Sequence, residues 1–292
     1  MAEGLRVPCP AKVNLYLRVL GRRPDGYHEL VTVMQPLSLA DELTATPAGG
    51  ISLECDHPDV PQREANLVWQ AALKFGEAVG RQVGVHFRLC KRIPLAAGLG
   101  GGSSDAAGAL LALNALAGAP LAAERLHQLA CRLGADVPFF LGRRPAVGRG
   151  TGTELTPIHL PSYCYLLINP GVALSTRWVY ENLDLQELTS GPEHDTWNPE
   201  HPESWVLNDL ATVALKRFPD LNDLLKRLRD LGARAQGLSG SGPTLFGVFP
   251  TLEAAREAGR NLRRSFTGWL AVAQGLTGQE TDTTWEKRVW MI

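Results

Sequence analysis

The sequence predicts an α+β fold in two domains, residues 1–160 and 161–292, and three stretches carry that expectation. An alternating segment from Val7 to Leu20 meets a turn at Arg22-Arg-Pro-Asp-Gly26 and returns from Tyr27 to Leu39, the pattern of a strand hairpin. A second segment, with Val85, Phe87 and Leu89 on one face, runs into a glycine cluster and then into helical spacing at Ala106, Leu110, Leu113 and Ala117. Beyond residue 160, Tyr163 to Asn169 is apolar throughout, as in a central strand, and amphipathic helices follow.

Bulk properties narrow the function classes. A hydrophobic content of 45% over 292 residues is ample for one large core or two ordinary ones. A net charge of −1 gives no bulk drive towards nucleic acid or an anionic membrane. Glu3 and Arg6 precede no apolar run, so no signal peptide is expected. Asn114, Gly118 and Pro120 interrupt the most apolar region, which therefore does not span a bilayer. Cys9, Cys55, Cys90, Cys131 and Cys164 are odd in number and scattered, without metal-ligand or disulfide spacing. The chain reads as a soluble cytoplasmic protein with buried thiols.

In the first strand, Lys12, Asn14 and Tyr16 share one face and Val13, Leu15 and Leu17 the other. The polar face suits either solvent or a site. A helix runs from Glu64 to about Val79, with Asn66 as its N-cap. Next comes Pro94-Leu95-Ala96-Ala97-Gly98-Leu99-Gly100-Gly101-Gly102-Ser103-Ser104, between a strand and a helix start. Its glycines let backbone approach a ligand closely, and the helix start offers unpaired N–H groups and a positive dipole end. Together these favour a phosphate. Ser103 or Ser104 would cap the turn, and either hydroxyl could meet a phosphate or its Mg²⁺. No lysine follows the glycines, which excludes a Walker loop, and Ser103 stands where the dinucleotide fingerprint needs a third glycine.

A helix from Leu121 to Leu133 stops at Gly134, which suits a C′ glycine. Pro138 keeps Val137 out of helical geometry, so Asp136 sits at a break, as an N-cap or as a catalytic carboxylate. Gly148 to Gly152 is a glycine-bearing turn before a closing strand. Residues 186–203 form a polar surface loop, where His194 and His201 lack the spacing of a metal site. The stripe Leu221, Leu224, Leu225, Leu228, Leu231 marks a helix from Asp220 to Gly232. A second glycine loop, Gly237-Leu-Ser239-Gly240-Ser241-Gly242-Pro-Thr244, leads to a strand ending at Phe249. A helix from Leu252 to Leu262, a strand near Trp269 to Gln274 and a polar tail from 277 to 292 complete the chain.

The spelling Pro-x-x-x-Gly-Leu-Gly-x-x-Ser-Ser resembles the second motif of the galactokinase, homoserine kinase, mevalonate kinase and phosphomevalonate kinase superfamily. Pro10-Ala-Lys12-Val-Asn14-Leu, Asp25-Gly26-Tyr27-His28-Glu-Leu, Asp105-Ala-Ala after the serines, and Gly134-Ala-Asp136-Val-Pro-Phe-Phe140 are similar to its methylerythritol-kinase branch. The resemblance covers about residues 7–275. It implies an N-terminal ribosomal-protein-S5-like domain and a C-terminal ferredoxin-like α/β sandwich. It also implies transfer of phosphate from ATP, with Mg²⁺, to 4-diphosphocytidyl-2-C-methyl-D-erythritol, in the non-mevalonate isoprenoid pathway.

By the same resemblance Asp136 is the general base and Lys12 its partner. Residues 94–104, with Asn66 near the adenine and Gly240 from the second loop, hold ATP. Asn14, Tyr27, His28 and Thr176 hold the substrate, with a flat ring stacking on cytosine. No protein carboxylate for the metal is visible. The expected partner is a small molecule and not nucleic acid or membrane, for a monomer or weak homodimer. Two other readings stay open: a superfamily kinase for homoserine or mevalonate, and a nucleotide sensor on the same fold.

Overall fold

The computed structural model describes residues 4–186, 188 and 197–278. The tail from 279 onwards and half of the 186–203 loop, His194 included, lie outside them. The chain opens with a long hairpin, β1 (Leu5–Arg22) and β2 (His28–Pro47), followed by β3 (Ile51–Cys55), α1 (Leu67–Val79) and β4 (Val85–Cys90). Three helices follow: α2 (Gly101–Leu116), α3 (Ala123–Leu133) and α4 (Val137–Gly142). The hairpin of β5 (Ala146–Arg149) and β6 (Glu154–Pro157) closes this half. The second half holds β7 (Cys164–Asn169), α5 (Thr176–Glu181), a 3₁₀ turn (Pro202–Ser204), β8 (Leu207–Asn208), α6 (Ala211–Arg217) and α7 (Asp220–Asp230). It ends with β9 (Ala235–Leu238), β10 (Leu245–Phe249), α8 (Leu252–Arg263) and β11 (Trp269–Gln274).

Two sheets result. The first has the order β3-β4-β2-β1-β8, with β5 also on β2 and β6 on β5. The second, β11-β7-β10-β9, is antiparallel throughout, with the wholly buried β7 inside it as its apolar run predicts. The short β8 comes from the second half yet pairs with β1. One core lies under α1–α4, where Phe75, Phe87, Leu110 and Phe140 are buried. A middle core joins Val13 and Leu15 of β1 to Tyr165, Leu167, Phe246 and Val248 of the second sheet. The third, with Leu166, Leu221, Leu228 and Leu262, packs α6–α8 on the far face. Helices, sheet, sheet and helices are therefore stacked in order, an α+β arrangement.

Four local expectations need correction. Val137 is not kept out of helical geometry but opens α4, because Pro138 falls in the first turn, where its missing N–H has no helical partner to lose; Asp136 stands at the N-cap without a side-chain capping bond. Tyr16 does not share a face with Asn14, because β1 shifts register between those residues, and its ring is buried in the middle core. One extra residue in a strand turns every later side chain to the other face. Gly134 ends α3 in extended backbone (φ 166°), not in the left-handed form of a C′ glycine. Neither serine caps α2: its N-cap is Gly100, and Ser103 and Ser104 stand within the first turn. Asn66 does cap α1, accepting from the Val68 N–H at 2.8 Å.

Candidate active site

The two glycine loops meet over the middle of β1. Lys12 is buried there, its own N–H bonded to the Leu99 carbonyl (2.9 Å) in the first loop. Its ammonium donates to Asn14 Oδ1 and to the Gly98 carbonyl (3.0 Å), and lies 3.7 Å from a carboxylate oxygen of Asp136. Asn14 in turn donates to Thr32 Oγ1 at 2.8 Å. Register is regular from Lys12 to Asn14, between two shifts that flank them, so alternation puts both polar side chains on one face, at a point where burial requires partners.

The second loop closes on the first. Ser239 Oγ donates to the Gly98 carbonyl (2.9 Å) and accepts from the Asn14 N–H (3.2 Å), while Thr244 N–H reaches the Ala97 carbonyl (3.2 Å). Gly98 has φ +75°, and a Cβ there would sit 2.3 Å from the Ser239 carbonyl oxygen. Only glycine permits both the backbone conformation and the approach. A Cβ on Gly240 would come within 3.2 Å of the Lys12 ammonium.

Helix α2 makes its first internal hydrogen bond from Ser104 N–H to the Gly100 carbonyl. The N–H groups of Gly101, Gly102 and Ser103 precede that bond, at the positive end of the dipole. They open on a cleft of about 1580 Å³, lined by Pro94–Gly98, Gly100–Ser103, Lys12, Asn14, Asn66 and Asp136. Tyr27, His28, Thr176 and Gly240 line it too. A single small ligand occupies roughly 300–1,000 Å³, so this cleft has room for two. Of the expected residues, Leu99 and Ser104 do not line it. Leu99 is fully buried in the middle core, and Ser104 is buried beneath the helix with no hydrogen-bond partner for its hydroxyl among the described residues.

At the other end of the cleft, Tyr27 is exposed on the hairpin turn and its N–H donates to Asp25 Oδ1 (3.1 Å). His28 stacks on Tyr180 with ring centroids 5.0 Å apart and planes at 27°. Burial, and secondarily the nearby Arg22, lowers the His28 pKa, so the ring is neutral at neutral pH. Burial and the charge of Asp136 raise the Tyr180 pKa, which keeps its hydroxyl protonated. Thr176 Oγ1 lies 2.7 Å from Ser241 Oγ, linking α5 to the second loop.

Sequence reasoning missed Tyr180, Ser239 and Thr32. Tyr180 had a signal, since it follows Thr176 by one helical turn and so shares its face. Ser239 and Thr32 had none, because their role is to meet residues distant in sequence. No group of three or more His, Cys, Asp or Glu side chains able to hold a metal occurs among the described residues. His201 is instead 3.0 Å from Glu203 on the surface. No helix among them is long and apolar enough to cross a membrane.

Comparison with known proteins agrees with this geometry. Residues 66–143 match the model of the GHMP kinases N terminal domain, and residues 195–268 that of the GHMP kinases C terminal domain. A 4-diphosphocytidyl-2-C-methyl-D-erythritol kinase of Geobacter sp. (strain M21) is 42% identical, over 92% of this chain and 98% of its own. One from Syntrophotalea carbinolica is 43% identical over 91% and 96%. A crystal structure of 4-(cytidine 5'-diphospho)-2C-methyl-D-erythritol kinase superposes with a TM-score of 0.81 at 40% identity, covering 93% of this chain and 99% of that one. Homoserine kinase from Cytophaga hutchinsonii, at 20% identity and a TM-score of 0.68, shares the fold.

Proposed function

The chain belongs to the GHMP kinases, in the 4-diphosphocytidyl-2-C-methyl-D-erythritol kinase family, and from that premise we infer the reaction that this cleft performs. It is an ATP-dependent small-molecule kinase, and it phosphorylates the 2-hydroxyl of 4-diphosphocytidyl-2-C-methyl-D-erythritol for isoprenoid synthesis. The observation that carries the chemistry is the place of Lys12, bonded to the Gly98 carbonyl of the glycine loop and 3.7 Å from Asp136. One ammonium spans the phosphate loop and a carboxylate that lines the same cleft.

Phosphoryl transfer depends on positioning and on neutralising charge more than on covalent help from the protein. The N–H groups at the start of α2 bind the triphosphate, and Lys12 faces the charge that develops between donor and acceptor. Asp136, 3.7 Å from the Lys12 ammonium, takes the proton of the attacking hydroxyl as general base. Asn14 orients the acceptor alcohol. Tyr27, His28 and Tyr180 hold the cytosine by stacking, and Thr176 meets the diphosphate end of the substrate.

The loop also suits a magnesium ion arriving with the nucleotide. Ser103 lines the cleft, and its hydroxyl is a hard oxygen of the type this ion accepts. When bound, Mg²⁺ shields the phosphate charge. The test is ADP release by the purified protein with Mg-ATP, with and without the diphosphocytidyl substrate. Substrate-dependent ADP is the expected result. ADP release driven equally by homoserine or mevalonate would overturn the substrate.

A further inference from the structure

Beneath the phosphate loop lies a buried charge cluster that the reaction above does not use. Lys91 directly follows β4, at the entrance of the loop, and Asp105 stands in α2, at its exit. The Lys91 ammonium donates to Asp105 Oδ2 at 2.7 Å and to Asp41 Oδ2 of β2, and all three side chains are at most 4% exposed. The other Asp41 oxygen accepts the backbone N–H groups of Arg92 (2.5 Å) and Ile93 (2.8 Å), the first residues of the loop. Asp105 Oδ1 has no hydrogen-bond partner among the described residues.

Two carboxylates share one ammonium in a buried place below a loop that must receive a polyanion. Burial pushes the Asp105 carboxyl well above the usual carboxylate range, with Lys91 opposing that shift. Such a group is unfavourable for stability, since a buried ion pair seldom outperforms apolar packing. Its geometry has another use. The Lys91–Asp105 pair joins the two ends of loop 92–104, and Asp41 fastens both to the sheet whose neighbouring strand carries Lys12. A loop whose ends are held loses less conformational freedom on binding, and preorganisation of this kind raises affinity without any added contact.

We propose that Lys91, Asp41 and Asp105 are positioning residues that hold the glycine loop in its triphosphate-binding shape before the nucleotide arrives. The cluster serves ATP and not the cytidine end of the cleft, because it clamps only the loop. This rests on the reading above solely in taking the loop as the triphosphate site.

The test is equilibrium titration of the full chain with a nonhydrolysable ATP analogue plus Mg²⁺, and separately with cytidine 5'-diphosphate. Asp105→Ala leaves Lys91 paired with Asp41. It is expected to raise the Kd of the ATP analogue about tenfold while the Kd for cytidine 5'-diphosphate stays within about twofold. Asp105→Asn, which keeps the shape and an acceptor for Lys91, should recover most of that loss. Asp105→Ser carries the same expectation as the alanine variant and decides the matter should the latter fail to fold. An unchanged Kd for the ATP analogue, or equal weakening of both ligands, overturns the proposal, the second outcome meaning a purely structural role. Because no turnover is measured, a protein that phosphorylates a different alcohol would refute the substrate and leave this inference standing.

Discussion

Asp136 and Lys12 differ in exposure in a way that suits the roles proposed for them. The Lys12 side chain is 3% exposed and fixed by three partners, whereas that of Asp136 is 43% exposed and open to the cleft. Asp136→Asn keeps the shape and removes the base, so kcat should fall about a thousandfold with ATP binding retained. Near-normal turnover would remove Asp136 as base. At the opposite end, Tyr180→Ala deletes one ring of the stack, and base–aromatic stacking contributes about 1–3 kcal/mol. The KM for the cytidine substrate should therefore rise tenfold or more, leaving that for ATP nearly unchanged. The lowered pKa of His28 gives a further sign to check. Its ring binds a proton less readily folded than unfolded, so the unfolded chain holds more protons as pH falls below about 6.5, and acid destabilises the fold. Against His28→Gln, the thermal midpoint of the wild type should drop further between pH 7 and pH 5. That Lys12, Asp136 and His28 belong to one cleft was legible because short motifs spell them out. Ser239 was not, since nothing local in its sequence says which distant group it meets, and Tyr180 was legible only through its helical spacing from Thr176.

At the scale of elements, the hairpin, β4 and most helices were legible from periodicity and caps. The bulge after Asn14 cannot be read from alternation, because alternation assumes the register that a bulge breaks. Helix α2 posed the opposite problem. It is buried on nearly every side from Ser104 to Leu113, so it has no polar stripe to mark a face. Its closest packing comes at Gly108, where a Cβ would lie 2.6 Å from Cys9 Sγ and 3.3 Å from a Val7 methyl. Alanine is better than glycine in a helix by about 1 kcal/mol, so Gly108→Ala sets propensity against overpacking. Overpacking a dense core costs about 1–3 kcal/mol, and it should win here, giving a lower urea midpoint. Cys9→Ala removes the sulfur, so the double variant should regain much of what the single one loses, a coupling that two independent sites would not produce. A Gly108→Ala protein more stable than wild type would mean that β1 gives way easily at Cys9.

The whole molecule explains why the site needs both halves of the chain. The second loop bonds Gly98 and Asn14, β8 completes the edge beside β1, and Tyr165 of the second sheet donates to Gln35 of β2 at 2.5 Å. Sequence separates these partners by more than a hundred residues in most cases, which is why periodicity suggested two successive halves while their shared core stayed hidden. A cut at residue 160 passes through that core and leaves Val13, Leu15 and Val33 of the first sheet without the second sheet. Apolar surface of this kind does not stay solvated in a well-packed fold. The isolated segment 1–160 should therefore be compact at best, binding a hydrophobic dye and lacking a cooperative thermal transition. The intact chain should lose both halves together. Trp69 reports the first core, Trp205 the middle one and Trp178 the third, so single-tryptophan variants give a probe for each layer. Coincident urea transitions from the three probes are expected if the middle core couples the sheets. A separate, earlier transition at Trp178 alone would mean that the second sheet and its helices unfold independently, and that the phosphate loop can lose its closing partner while its own half remains folded.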